Sequence, residues 1–238
     1  MDVPIIFEDN NIIVINKPAG IVVNKSENVT EQTIQDWAEK RLQITNNHLQ
    51  NNFYNRAGIV HRLDKETSGL LLIAKNPGDF IYLQEQFFKR TVIKKYHTLV
   101  HGEIKASEGE INAPVGRLPW NRRKYGVLNS GRQALTSFKT IGLYSLNEQV
   151  FSFLEITPHT GRTHQIRIHL KYLGFPVVSD KLYNGEKMYR QDLLFCPRLF
   201  LHASTLCLLH PKSKEQVIFN CKLEKDLLRV LDNLIKVS

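Results

Sequence analysis

In the stretch His61-Arg62-Leu63-Asp64-Lys65-Glu66-Thr67-Ser68-Gly69-Leu70-Leu71-Leu72-Ile73-Ala74-Lys75, a short polar segment runs straight into an apolar strand. Asp64 sits beside Arg62 on that segment. A carboxylate in this position is expected near a surface cleft, held rigidly by the strand that follows and kept ionised by the neighbouring cation. Asp, Thr, Ser and Gly all favour turns, so an ordinary turn before a strand is the plain alternative. Asp64 and Glu66 could also imitate the carboxylate pair of a glycosidase, which needs a separation of about 5–9.5 Å.

The rest of the chain limits what such a carboxylate can serve. With 238 residues, of which 42% are hydrophobic, the chain has the length and composition to bury a substantial core. No apolar run approaches the roughly 18 residues of a membrane span, and Met1-Asp2-Val3-Pro4 does not open a signal peptide. A cytoplasmic protein with no membrane partner is expected. Cys196, Cys207 and Cys221 form no C-x-x-C pair, which argues against a zinc ribbon or a disulfide framework. His159, His164 and His169 are spaced by five, a rotation of about 500° along a helix, so neighbours would not share a face to hold a metal. The formal net charge of +9 is uneven. Arg117, Arg122, Arg123, Lys124 and Arg132 fall in one segment, and Lys89, Arg90, Lys94 and Lys95 in another. Such basicity points to nucleic acid, with a solubilising surface as the alternative.

Residues 5–15 predict two β-branched strands joined by a polar turn, and Ile21-Val22-Val23 resumes the strand pattern. A helix is predicted with Thr30 as N-cap, carrying Ile34, Trp37, Ala38 and Leu42. The Asn-rich run 45–55 predicts a loop. Residues 69–75 predict a strand. Asn76-Pro77 then opens a helix through Arg90, with Phe80, Leu83, Phe87 and Phe88 as its apolar face. Val92 to Ile104 alternates as a strand containing Tyr96. Residues 107–135 form a basic, Gly/Pro-punctuated excursion around Trp120, followed by two strands between Phe138 and Ile156. Thr163 to Leu173 carries Ile166, Leu170 and Leu173 at helical spacing. Ile166 and Ile168 also alternate, but the Gly174-Phe175-Pro176 stop favours helix. Strands at 201–209 and 217–223 and a Leu-rich helix complete the chain. The expectation is α+β with a mostly antiparallel sheet and flanking helices, as one domain over residues 1–238.

The His61–Lys75 run closely resembles the signature of the RluA-like RNA pseudouridine synthases, in which the aspartate is catalytic. Val14 to Ile21 (Val-Ile-Asn-Lys-Pro-Ala-Gly-Ile) resembles that family's first signature. Lys94-Lys95-Tyr96 is similar to the segment holding its active-site tyrosine. Thr157 to His169 resembles the signature that supplies a basic residue. Asp180-Lys181-Leu182-Tyr183 and Leu201-His202-Ala203 continue the resemblance. Asn24 departs from the usual aromatic, proline or histidine, and Ser179 replaces a common glycine. The resembling pattern begins at the catalytic domain, so a form without an N-terminal S4 domain is expected.

The resemblance implies the pseudouridine synthase catalytic fold and an isomerase that uses neither cofactor nor metal. Its expected substrate is structured RNA, ribosomal or transfer, and a monomer is expected. It assigns Asp64, Tyr96 and Arg167 to catalysis, Arg167 as ion-pair partner of Asp64 and Tyr96 as a ring to stack on the flipped uracil. Glu66 receives no chemistry and is taken as a structural or surface charge. RNA contacts are expected at His61, Arg62, Arg117, Arg122, Arg123, Lys124, Arg162 and His164. Attack on C1′, attack on C6 and proton abstraction from C2′ all remain open for Asp64. Two other functions share these features: a nucleic-acid N-glycosidase releasing uracil, and a non-catalytic RNA-binding assembly factor.

Overall fold

The structure, a computed structural model, describes residues 1–44 and 51–237. They form two compact units, Met1–Ile93 with Ala203–Cys221 and Lys94–His202 with Lys222–Ser238. In the first, strand β1 (Ile5–Glu8) turns into β2 (Ile12–Lys17) through Asp9, whose carboxylate accepts the Asn11 and Ile12 N–H groups at 2.7 and 2.8 Å. Ile12 to Ile15 are buried consecutively, as expected of a strand covered on both faces.

Helix α1 (Ile34–Arg41) starts at Thr33, not Thr30. The Thr33 hydroxyl accepts the Asp36 N–H, and the Asp36 carboxylate accepts the Thr33 N–H at 2.8 Å, a reciprocal cap that Thr30 cannot make with residues three further on. Ile21-Val22-Val23 is not a strand. The Val22 and Val23 carbonyls instead accept the Ile34 and Gln35 N–H groups, two of the donors a helix start leaves over. The predicted loop at 45–55 lies outside the described residues as far as Gln50. Beyond it, Asn51 caps a one-turn helix, α2 (Asn52–Asn55).

Strand β3 (Ser68–Ala74) is buried throughout and runs antiparallel to β2, Ile12 facing Ala74 and Lys17 facing Gly69. Helix α3 (Pro77–Lys89) follows, with Asn76 as N-cap, Pro77 in its first turn and Arg90 as its left-handed C-cap. Phe80 and Leu83 are buried and Phe87 packs at the edge of the same core, but Phe88 points to solvent at 87% exposure. Residue 88 lies about 100° around the helix from 87, too far for one stripe to hold both here.

The second unit opens with β4 (Ile93–His101), β5 (Glu108–Asn112), β6 (Val115–Leu118), β7 (Asn121–Val127), β8 (Leu135–Leu146) and β9 (Gln149–Pro158). The basic excursion thus contains three strands, β6 and β7 forming a separate antiparallel hairpin with Pro119 and Trp120 at its tip. Helix α4 (Gln165–Tyr172) settles the helix-or-strand ambiguity, and Gly174 closes it at φ +89. Helix α5 (Glu186–Asp192) was not anticipated. The chain passes through β10 (Leu201–Leu209) and β11 (Gln216–Asn220) and ends with α6 (Lys225–Asp232) and β12 (Ile235–Lys236).

Strand order in the first unit is β1-β2-β3-β10 with β11 beside β10; in the second it is β4-β9-β8-β12 with β5 beside β8. The registers resolved inside each unit are antiparallel, in keeping with the α+β expectation. Leu99, Phe151, Phe153, Phe200, Leu227 and Val230 fill the core of the second unit, while Val115, Ala134, Ile168 and Tyr183 form a smaller core beneath the hairpin.

Candidate active site

Asp64 sits on a tight turn whose Thr67 N–H donates to the Asp64 carbonyl at 3.2 Å. The turn does not rest on that bond alone. The Lys65 carbonyl accepts the Gly20 N–H at 2.8 Å and the Lys17 ammonium at 3.0 Å. Lys17 is fully buried, and its Nζ also donates to the Pro18 and Ile21 carbonyls at 2.7 and 3.0 Å. A buried ammonium is tolerated only where its donors are taken up, so the segment 18–21 and the Asp64 turn are tied together through one side chain. Behind the turn, Gly69 adopts φ +112, and an added Cβ there would lie 2.3 Å from the Ala203 carbonyl oxygen. Only glycine allows β3 to approach β10 so closely. Asp64 itself is half-buried, and Glu66 is exposed, as expected of a surface charge.

In the second unit, Tyr96 lies on β4 opposite Ile156 and is 9% exposed. Lys94 shares its strand face, by the alternation of side chains, and burial lowers the Lys94 pKa. Arg167 lies in the first turn of α4 and is buried. Its Nε and Nη2 donate to the two oxygens of Asp180 at 2.7 and 2.6 Å, a bidentate pair that fixes the guanidinium plane. Asp180 is 1% exposed and also accepts the Leu182 and Tyr183 N–H groups at 3.0 and 3.1 Å. The Arg167 guanidinium carbon lies 5.0 Å from the centre of the Tyr183 ring.

Ser179 takes φ +57, a backbone conformation that favours glycine, as the family resemblance leads one to expect there, and its hydroxyl donates to the Cys196 carbonyl at 2.6 Å. Its N–H donates to Asp192, which also pairs with His101 at 3.1 Å. Lys17, Asp180 and Tyr183 stand inside the recognised motifs, yet nothing in the sequence assigned them these partners.

The other expected contacts fall into two groups. Arg62 is exposed in the first unit, and Arg56, whose pKa burial lowers, is lowered further by the nearby Arg62 charge. His61 has an internal role: its Nε2 accepts the Leu72 N–H at 3.0 Å and its ring stacks on Phe87 at 4.7 Å. Arg117 and Arg122 are exposed on the hairpin, and Arg117 donates to the Tyr125 hydroxyl at 2.8 Å. Lys124 is half-buried on β7, and Arg123 follows Arg122 on the same strand. Arg162 donates from Nε to the Gln133 carbonyl at 3.1 Å. His164, at the start of α4 with φ 56, bonds the Tyr183 hydroxyl through Nδ1 at 2.8 Å. The three histidines that invited a metal reading diverge. His159 bonds Ser137, His164 bonds Tyr183, and His169 is buried between Thr136 and the Ala113 carbonyl.

A family model described as RNA pseudouridylate synthase matches residues 11–172. An uncharacterized RNA pseudouridine synthase of Bacillus subtilis is 37% identical over 236 residues, covering 99% of this chain and 74% of that protein. The ribosomal large subunit pseudouridine synthase D of Buchnera aphidicola (subspecies Baizongia pistaciae) is 36% identical over 242 residues, covering 98% of this chain and 72% of that protein. The solved structure of human RNA pseudouridylate synthase domain containing 1 aligns with a TM-score of 0.77 at 25% identity, over 100% of this chain and 89% of that one. A clamped aspartate turn, a motif order matching the RluA-like pattern and relatives spanning nearly the whole chain together lead to one conclusion: the chain belongs to the RNA pseudouridylate synthase family, a class of isomerases that act on RNA.

Proposed function

We propose that this protein converts specific uridines to pseudouridine in ribosomal RNA, with Asp64 as the catalytic carboxylate. The observation that carries the reading is the Asp64 turn, pinned through Lys65 by Lys17 and Gly20. The names of relatives such as the large subunit synthase D favour ribosomal over transfer RNA.

The isomerisation breaks the N1–C1′ bond, turns the uracil and joins C5 to C1′. The hydrogen displaced from C5 leaves and N1 gains one, so no outside group is consumed and no electrons are exchanged. Bond cleavage requires negative charge near the sugar or a covalent adduct, and Asp64 can serve either route. A rigid turn matters because the charge must be in place before the reaction begins. In this reading Tyr96 stacks on the extruded uracil and its hydroxyl moves a proton. Arg167, held in one plane by Asp180, is assigned to the reaction as a fixed cation. The hairpin residues Arg117, Arg122, Arg123 and Lys124, around a Trp120 that is 77% exposed, grip the RNA away from the reacting uridine.

The test is tritium release from RNA labelled at uridine C5, with ribosomal and transfer RNA as separate substrates and free uracil assayed in parallel. We expect release from ribosomal RNA, no free uracil, and a rate about a thousandfold lower for Asp64→Asn with an unchanged circular dichroism spectrum. Free uracil that keeps its C5 tritium, with none passing to water, would identify an N-glycosidase. An active Asp64→Asn variant would remove Asp64 from the chemistry.

A further inference from the structure

A cavity of about 340 Å³ lies between the β6–β7 hairpin and α4, entirely within the second unit. Its walls include three tyrosines, Tyr125 from β7, Tyr172 from the end of α4 and Tyr183 from the loop after Asp180, with Ile168 beneath them. Lys124 and Lys171 supply its cationic groups, and no carboxylate is among the described lining residues. Neither Tyr96 nor Arg167 lines it.

Aromatic rings, an aliphatic floor and ammonium groups without a balancing acid suit an occupant that is flat and carries a negative charge beside its ring. A nucleotide has that chemistry: its base offers a π face and its phosphate pairs with lysine. The volume falls within the usual range for small-molecule sites, about 300–1,000 Å³. The hydroxyls of Tyr125 and Tyr183 already have protein partners. Tyr125 accepts from Arg117, and Tyr183 bonds His164 and the Tyr125 N–H at 2.8 and 3.3 Å. With two of its three tyrosine hydroxyls engaged, the pocket offers stacking more than edge recognition, which suits any base. Lys171 donates to the Tyr183 carbonyl, which anchors its charge at the pocket while two of its three donors remain for other partners.

We propose that this pocket takes an unstacked base of the RNA substrate other than the reacting uridine, with its phosphate facing Lys124 and Lys171. The proposal rests on the reading of the protein as an RNA uridine isomerase. One wall, Tyr183, packs against Arg167, so an occupant here would bear on the residue that Asp180 aligns.

The test is an amide-resolved NMR titration of the full chain with AMP, with inorganic phosphate as control. We expect AMP, and not phosphate, to shift the Gly126, Val127 and Tyr172 amides, and we expect Val127→Phe, which fills the cavity, to abolish those shifts. Because a filled core can misfold, exposed Tyr172 gives a second arm. Tyr172→Ala should weaken binding of a 12-nucleotide single-stranded RNA of mixed sequence about tenfold, the usual loss for one stacked base. Shifts that persist in Val127→Phe, equal shifts with phosphate, no AMP shift at all, or undiminished oligonucleotide affinity in Tyr172→Ala would each overturn the proposal. The AMP arm reads the pocket without catalysis, so an absent pocket and an absent isomerase activity are separate results.

Discussion

Asp180→Asn isolates the feature that aligns Arg167. Asp180 accepts two guanidinium N–H groups and two backbone N–H groups, at distances between 2.6 and 3.1 Å, in surroundings that leave it 1% exposed. Asn can keep Oδ1 for the Leu182 and Tyr183 N–H groups, but its amide then faces the Arg167 Nε–H donor to donor. The charge is also gone while the guanidinium stays buried. Breaking a buried pair from one side costs about 3–5 kcal/mol. In a chain of this size that lowers the melting temperature by about 6–20 °C. Arg167→Met should cost less, because Asp180 keeps its two backbone donors. In the Arg167→Met background, the further cost of Asp180→Asn should fall by at least about 2 kcal/mol, since the pair no longer exists to be broken. Urea unfolding of the four proteins measures all three quantities, and turnover assayed well below the melting point should drop in Asp180→Asn. A cost under about 1 kcal/mol, or the same cost in both backgrounds, would refute the argument that this pair holds the guanidinium.

Gly69→Ala places a methyl group against the Ala203 backbone at a φ of +112, so neither neighbour can rotate away. Overpacking and backbone strain together predict a loss of about 2–6 kcal/mol, and a urea midpoint close to wild type would contradict it. Replacing Arg122, Arg123 and Lys124 together with Ala should flatten the log K versus log salt slope of RNA binding by about 2–3 units, from three phosphate contacts at roughly 0.7–0.9 each. An unchanged slope would show that the hairpin does not grip phosphates. Burial lowers the pKa of His169, partly offset by its bond to the Ala113 carbonyl, and burial lowers that of His97 against the opposing charge of Glu155. Both folded values lie below the unfolded ones, so the unfolded chain binds these protons first. The stability involved is intact above about pH 6.5 and is lost as pH falls below it, by up to ~1.4 kcal/mol per pH unit for each group. Unfolding free energies at pH 7.5 and 5.5 should show this fall, smaller in His169→Gln; an equal fall in that variant would remove His169 as a source.

Local chemistry made a good part of this molecule legible from sequence alone. Consecutive β-branched residues announced β1 and β2, Asn76-Pro77 announced the start of α3, and Gly174 announced the end of α4, because strand preference, capping and left-handed backbone depend on near neighbours. The resemblance of the Asp64 run and its companion motifs led to the family before any contact was known. Tertiary structure decided what depends on distant partners. Thr33 and Thr30 are both fit to cap; Asp36 and the Val22 and Val23 carbonyls select Thr33. Ile21-Val22-Val23 reads as a strand by composition, yet the Val22 and Val23 carbonyls accept N–H groups at the start of α1. His61 looks like an RNA contact by its motif, yet its ring nitrogen accepts a backbone N–H of β3. Lys17 reaches a carbonyl 48 residues away, and Asp180, which follows a left-handed Ser179, pairs with Arg167 on a separate element. Burial imposes these partners, since a charge or donor withdrawn from water must be satisfied by whatever the fold brings to it.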